Sequence, residues 1–354
     1  MKKKHFFLWI FLLLLVLAVV FTLLFILRRP EEKVSVLLYH RFNDSRYPST
    51  SVDSAELENQ ILFLKSRGVS FLSENDFISL LEGKKKYGNS VLISIDDGFR
   101  SILTAYPVLK KYSIPFIVYI NTGYVGIGEY LNWKEINELN NEGLACFGLH
   151  SSMHTNYSLM LLKEGIDKTI DFFSNDIIQT QKIFEEKLGK KAVSYAYPYG
   201  YYIPQMEKAL YENNIKFALL ADKLSHPYTP HNSPYHIPRI MFSKDLHNLS
   251  DEYLQQFLKK NVFKVNSFDP VDVQTGKEFR IKLESAVKPV SPKINITLEG
   301  SPNTFELSCR TDGHVIVSEE NLTLYDKGAR VQIVFKDFLN FEYEFIWHIR
   351  PFKN

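Results

Sequence analysis

Cysteine is nearly absent: Cys146 and Cys309 are the only two in 354 residues. They lie far apart, which excludes a paired-cysteine metal motif and a disulfide framework. An exported chain with so few cysteines must rely on its apolar core. A surplus of charge is also lacking. The formal net charge is +2, and Lys2, Lys3, Lys4, Arg28 and Arg29 flank one apolar run. Setting those five of the 42 basic residues aside leaves 37 against 40 acidic ones. That balance argues against a nucleic-acid partner. There is no internal repeat and no low-complexity tract. Gly126-x-Gly128 lacks the third glycine and the strand–turn–helix setting of a nucleotide loop, and reads as a mobile loop.

What is present begins with the apolar run. Residues 5–27 carry no formal charge over 23 positions, counting His5 as neutral. A bilayer-spanning helix needs about 20. Phe25, Ile26, Leu27 and Arg28 stand where a signal peptide would carry its small-residue cleavage site, so an uncleaved anchor is expected. Lys2–Lys4 favour a cytoplasmic N-terminus. The expectation is a tail and transmembrane anchor over 1–29, with everything after it extracellular or periplasmic.

From residue 34 strand-like and helix-like stretches alternate. Strands are read at 34–39, 69–72, 91–95, 115–120, 144–149, 192–197, 217–220 and 235–242. Helices are read at 54–65, 75–82, 101–112, 133–142, 163–188 and 205–213, with a further helical stretch at 249–260. Alternation of this kind points to a largely parallel α/β sheet or barrel. It stops near residue 261. Beyond it, runs such as 293–298, 304–309, 330–335 and 342–349 alternate like half-buried strands, which suggests a small all-β, sandwich-like domain over 261–354.

The chain is organised around residues 91–100, VLISIDDGFR. An apolar run bounded by a turn signal reads as a buried strand, and Asp-Gly is a strong turn pair. Asp96 and Asp97 therefore leave the sheet at the carboxyl end of a strand, where α/β folds place their sites. Adjacent residues on an extended backbone point in different directions, so one carboxylate can bind a metal while the other faces a substrate. His150-Ser-Ser-Met-His154 follows another strand. Two histidines four apart can face one way on a helical turn. With one carboxylate they make a donor set for Zn2+ or another divalent transition metal, with positions left open. Tyr197-Pro198-Tyr199-Gly200 bends sharply at a third strand end and can expose a backbone N–H to an oxyanion. Leu38-Tyr39-His40 ends the first strand with one more titratable group.

Ile95-Asp96-Asp97-Gly98, His150-Ser-Ser-Met-His154 and Tyr197-Pro-Tyr-Gly200, in this order, resemble the polysaccharide deacetylases of carbohydrate esterase family 4. Leu38-Tyr39-His40 is similar to the subgroup that de-N-acetylates poly-β-1,6-N-acetylglucosamine, in which the motifs are circularly permuted. Leu131-Asn132-Trp133 and Leu188-Gly189-Lys190 resemble the family around the motifs. The resemblance covers about 34–260 and implies a catalytic domain over 30–260, a distorted (β/α) barrel with fewer than eight strands. It implies that Asp97, His150 and His154 bind a divalent metal, Zn2+ first, with Co2+, Ni2+ or Mn2+ as alternatives. It implies Asp96 as general base, His40 as general acid and the Tyr199 N–H as oxyanion donor. Many members carry an arginine two residues before the motif proline. Here that position is Ala196, and Arg239 is the best substitute, with a surface ion pair as its other reading. The implied reaction is N-deacetylation of an N-acetylated polysaccharide. The rival readings are an O-acetyl glycan esterase and a non-catalytic polysaccharide-binding module. For residues 261–354, carbohydrate binding or partner docking is expected.

Overall fold

The computed structural model describes residues 34–203, 205–221 and 233–244, and a series of strands between 265 and 349. The apolar run 5–27 and the stretch 249–260 lie outside the described residues. Among the described residues no helix is long and apolar enough to cross a membrane.

The first part of the chain runs β1 (Val34–Tyr39), β2 (Arg41–Phe42), β3 (Ser51–Val52), α1 (Ser54–Ser66), β4 (Ser70–Phe71), α2 (Glu74–Leu81), β5 (Ser90–Ile95), α3 (Ile102–Lys111), β6 (Phe116–Ile120), α4 (Trp133–Asn141), β7 (Ala145–Leu149), α5 (Tyr157–Glu164), α6 (Ile166–Leu188), β8 (Ser194–Ala196), α7 (Met206–Glu212), β9 (Phe217–Leu219) and β10 (Ile240–Met241). The main sheet has the order β10-β1-β5-β6-β7-β8-β9, with β4 also against β5. Every pairing in it is parallel. The row returns on itself. Ile237 donates to Ala218 O at 3.1 Å and accepts from Leu220 N–H at 2.8 Å, and three residues later β10 pairs with β1.

Strand parity sorts the side chains. β1, β5 and β6 are buried at every position, as strands covered on both faces are. One apolar cluster joins alternate residues (Val36, Leu92, Ile117, Ala196, Leu219) to Phe77 and Leu80 of α2. The intervening residues (Leu37, Ile93, Val118, Phe147) pack with residues of the other helices, among them Leu57, Ile61, Ile136 and Phe173. The first cluster fills the inside of the ring. Glu74, at the start of α2, accepts from Ser194 Oγ at the start of β8 at 2.7 Å, which sets α2 across the strands' N-terminal end. Burial pushes the Glu74 carboxyl up, against the Ser194 hydrogen bond and Lys190. The folded chain then holds more protons than the unfolded one above the ordinary value of 4.5, so this group lowers stability as pH rises through that window. Glu74→Gln is expected to gain stability relative to the parent between pH 4.5 and 7, read by urea unfolding. Parallel pH profiles would refute this.

Local chemistry sets several boundaries. Asn132 and Glu135 form a capping box on α4, and Ser73 with Asp76 forms another on α2. The helix read at 163–188 is α6, which starts at Ile166 after Gly165 with φ 81°, and a separate helix, α5, ends just before that glycine. The strand read at 235–242 is reduced to β10, because Pro238 has no N–H for the ladder.

The later strands are β11 (Val265–Phe268), β12 (Glu278–Phe279), β13 (Lys282–Ser285), β14 (Val290–Leu298), β15 (Thr304–Leu307), β16 (Cys309–Asp312), β17 (Val315–Ser318), β18 (Leu322–Thr323), β19 (Ala329–Lys336) and β20 (Glu342–Ile349). They form two four-stranded sheets, β11-β13-β17-β16 and β15-β14-β19-β20, and the pair β12-β18. All these pairings are antiparallel. Ile294, Ile296, Ile316 and Ile333 are buried.

Candidate active site

The inward face of β5 continues Leu92, Ser94, Asp96 in steps of two, so Asp96 enters the ring at its carboxyl end. Its side chain meets Arg239, just before β10. Arg239 Nη1 donates to Asp96 Oδ1 and Nη2 to Oδ2, both at 2.7 Å. Such a two-pronged guanidinium–carboxylate contact is among the stronger protein hydrogen-bond pairs. Arg239 also donates to Ser94 Oγ at 3.3 Å and to the Leu220 carbonyl. Asp96 is 1% exposed and Arg239 0%, so the surface ion-pair reading of Arg239 does not hold. Burial opposes ionisation of Asp96, but Arg239 and His150 outweigh it and keep its carboxyl below the ordinary range.

Past the strand, Asp97 and Gly98 take φ of 69° and 72°. A Cβ at Gly98 would approach Ile120 Cγ2 to 2.8 Å, so glycine makes the turn that aims Asp97. Asp97 Oδ1 lies 3.5 Å from His150 Nε2 and 3.4 Å from His154 Nε2. One ligand atom from each of the three residues falls within 4.8 Å of the other two. His150 Nδ1 is 2.7 Å from the Ala196 carbonyl. A carbonyl only accepts, so Nδ1 carries the proton and Nε2 presents its lone pair. Burial lowers His154 to about 4, with His150 adding to the effect, which keeps that imidazole neutral. For His150 burial is outweighed by Asp96 and Asp97, and its pKa rises. Two imidazole nitrogens and one carboxylate oxygen converging at these distances suit a divalent transition metal.

The segment between the histidines is a loop and not a helical turn. Ser151 and His154 have φ of 63° and 51°. Asn121, after β6, donates from Nδ2 to the His150 carbonyl, and to that of Ser151 at 3.3 Å. Nothing local in the sequence marks Asn121, because its partners come from the neighbouring strand end. The Gly126–Gly128 loop is pinned: Gly126 N–H donates to Leu131 O at 2.8 Å, and Glu129 O accepts from Arg100 N–H at 2.7 Å.

His40 follows β1, and among the described residues its buried Nδ1 has no hydrogen-bond partner. Burial lowers its pKa, against the pull of Asp97 and Asp96. Tyr199 lies in a 3-10 turn, Pro198–Gly200, with φ 59°. Its ring meets His154 edge-on at 4.4 Å and is 46% exposed. Tyr201 and Tyr202 pack against the core. The structure thus gathers Asp97, His150 and His154 into one cluster. Asp96 and Arg239 lie behind it, Tyr199 sits at its rim, and His40 lies within its electrostatic reach.

A polysaccharide deacetylase family model matches residues 83–218. The poly-beta-1,6-N-acetyl-D-glucosamine N-deacetylase of Staphylococcus epidermidis is 31% identical over 206 residues, 55% of this chain and 69% of that protein. The chain belongs to the polysaccharide deacetylase family. As a member it is a hydrolase acting on amide bonds. The N-deacetylase of the same name from Staphylococcus aureus is 29% identical over 243 residues, 62% of this chain and 82% of that protein. Among solved structures, IcaB from Ammonifex degensii superposes with a TM-score of 0.55 at 28% identity, covering 61% of this chain and 94% of that one. The Streptococcus pyogenes deacetylase PplD, solved with acetate, shares the fold at 20% identity and a TM-score of 0.56, covering 65% and 99%. The family match spans Asp96, Asp97, His150, His154 and Tyr199. His40 and Arg239 lie outside it.

Proposed function

We propose that this family member removes acetyl groups from N-acetylglucosamine units of an exopolysaccharide of the poly-β-1,6-N-acetylglucosamine type. In this reading Asp97, His150 and His154 hold a divalent metal, with Zn2+ the first candidate. The observation that carries it is the three-residue donor cluster beside an ionised, arginine-paired carboxylate. The relatives' names support the choice of polymer.

A divalent ion in that cluster supplies Lewis acidity to an acetamide carbonyl and to a water. Asp96 takes the proton of the attacking water, and its ionised state fits that task. Arg239 holds both Asp96 oxygens and fixes the carboxylate plane. The backbone N–H of Tyr199 donates to the oxygen that gains charge as the carbonyl carbon becomes tetrahedral. His40 gives a proton to the departing amine. Asp97 and Asp96 favour its protonated form, while burial opposes it. The uncharged run 5–27 supports a single-pass anchor with the catalytic part outside the cell membrane. Protection of that part from protease added to intact cells would overturn the placement.

The test is acetate release from β-1,6-linked N-acetylglucosamine oligomers by the purified full chain, before and after chelation. Release is expected to fall at least about 100-fold on chelation and to return with Zn2+. Release that survives complete metal removal would sink the metal reading. Release from O-acetylated glycans alone would move the substrate to an ester.

A further inference from the structure

We propose that Asp176 is a positioning residue for the metal site: by fixing the loop between the two histidines it sets the affinity for the divalent ion. This rests on the metal reading given above. The loop needs holding, because Ser151 and His154 are both in the left-handed region, which is strained for a non-glycine residue.

Asp176 lies on α6 and is buried. Both its oxygens accept from the Ser152 N–H, each at 3.1 Å. Oδ1 also accepts from the Ser152 hydroxyl, and Oδ2 from the Tyr157 hydroxyl at 3.4 Å. Among the described residues no cation pairs with it. A buried carboxylate without a counter-charge is expensive. Here its donors come from Ser152 within the histidine loop and from Tyr157 just past it. From the other side, Gly123 N–H donates to Ser152 O at 2.9 Å. A Cβ at Gly123 would meet Met153 Sδ at 2.5 Å and Ser152 O at 2.8 Å. Ser152 is thus gripped on both sides, midway between two ligands. His150 has a separate anchor in the Ala196 carbonyl. His154 is the more exposed ligand, and its aim follows the loop backbone.

The experiment compares Zn2+ dissociation constants of the parent, Asp176→Ala, Asp176→Asn and Ile177→Val, by competition with a chromophoric chelator, together with the Tm of each metal-free protein. Asp176→Ala is expected to bind Zn2+ about 10- to 100-fold more weakly, with kcat at saturating metal within a few-fold of the parent. Asp176→Asn, which keeps an acceptor for the Ser152 N–H, is expected to recover most of the affinity. Ile177→Val, a buried neighbour on the same helix, should lower Tm without moving affinity. A parental constant in Asp176→Ala, or affinities that merely track Tm across the series, would overturn the proposal. If Asp176→Ala does not fold, Ser152→Ala decides: affinity several-fold weaker supports the proposal, and unchanged affinity overturns it. A parent without tight Zn2+ binding overturns the metal reading and this inference with it. A parent that binds Zn2+, matched by Asp176→Ala, overturns this inference alone.

Discussion

Asp96→Asn is expected to keep its metal and to lose about 10^3-fold in kcat, within the span typical for removal of a general acid or base. Asp96 is not in the donor cluster of Asp97, His150 and His154, so the exchange leaves all three ligand atoms in place. An amide in that position still accepts one hydrogen bond from Arg239, but it cannot take the proton of an attacking water. Metal content and single-turnover acetate release check the two halves separately. A variant with full metal and turnover within tenfold of the parent would remove Asp96 from the base role.

Arg239→Met is expected to cost about 3–5 kcal/mol, the usual cost of leaving one member of a buried ion pair alone. The sign of its pH dependence follows from Asp96. In the parent the Asp96 carboxyl lies below its ordinary value, with Arg239 the largest of the groups that offset burial. That contribution to stability is present above the ordinary value and is lost as pH falls through the lower folded value. Without the guanidinium, burial is no longer outweighed and the Asp96 pKa rises. The variant's deficit should therefore be largest at neutral pH and should shrink near pH 3.5. Urea unfolding at the two pH values measures this, and an equal deficit at both would contradict it. The double exchange Asp96→Asn/Arg239→Met should regain part of the stability, since neither charge is then stranded, while turnover stays lost.

Strand ends were the most readable part of this sequence. Asp96 and Asp97 follow an unbroken apolar run and precede a glycine that the turn needs, so local chemistry announces their place. His150 and His154 were legible as a pair by spacing, but their backbone was not. The left-handed residues between and at them are stabilised by Asn121 and Asp176, which are distant in sequence. Asp176 itself reads as one more acid on an amphipathic helix, and only the folded packing shows that it is buried. The helix read from 163 starts only at Ile166, past Gly165, and α5 before that glycine went unread. Arg239 came into view through the alanine at 196. Its pairing with Asp96 depends on the ring returning to β1, which no local pattern encodes.

That return has a consequence for the order of events during synthesis. Asp96 and Arg239 are 143 residues apart, and Arg239 belongs to the segment that joins β9 to β1. A nascent chain that has emerged as far as β9 already carries Asp97, His150 and His154, and Asp96 beside them. It lacks the guanidinium that makes burial of Asp96 affordable. Contacts of such separation form late, because the loop they close is long. The Asp96 carboxylate, the base in the proposed mechanism, is thus set in its ionised state by one of the last parts of the domain to arrive, and on that proposal hydrolytic competence becomes a report that the ring has closed.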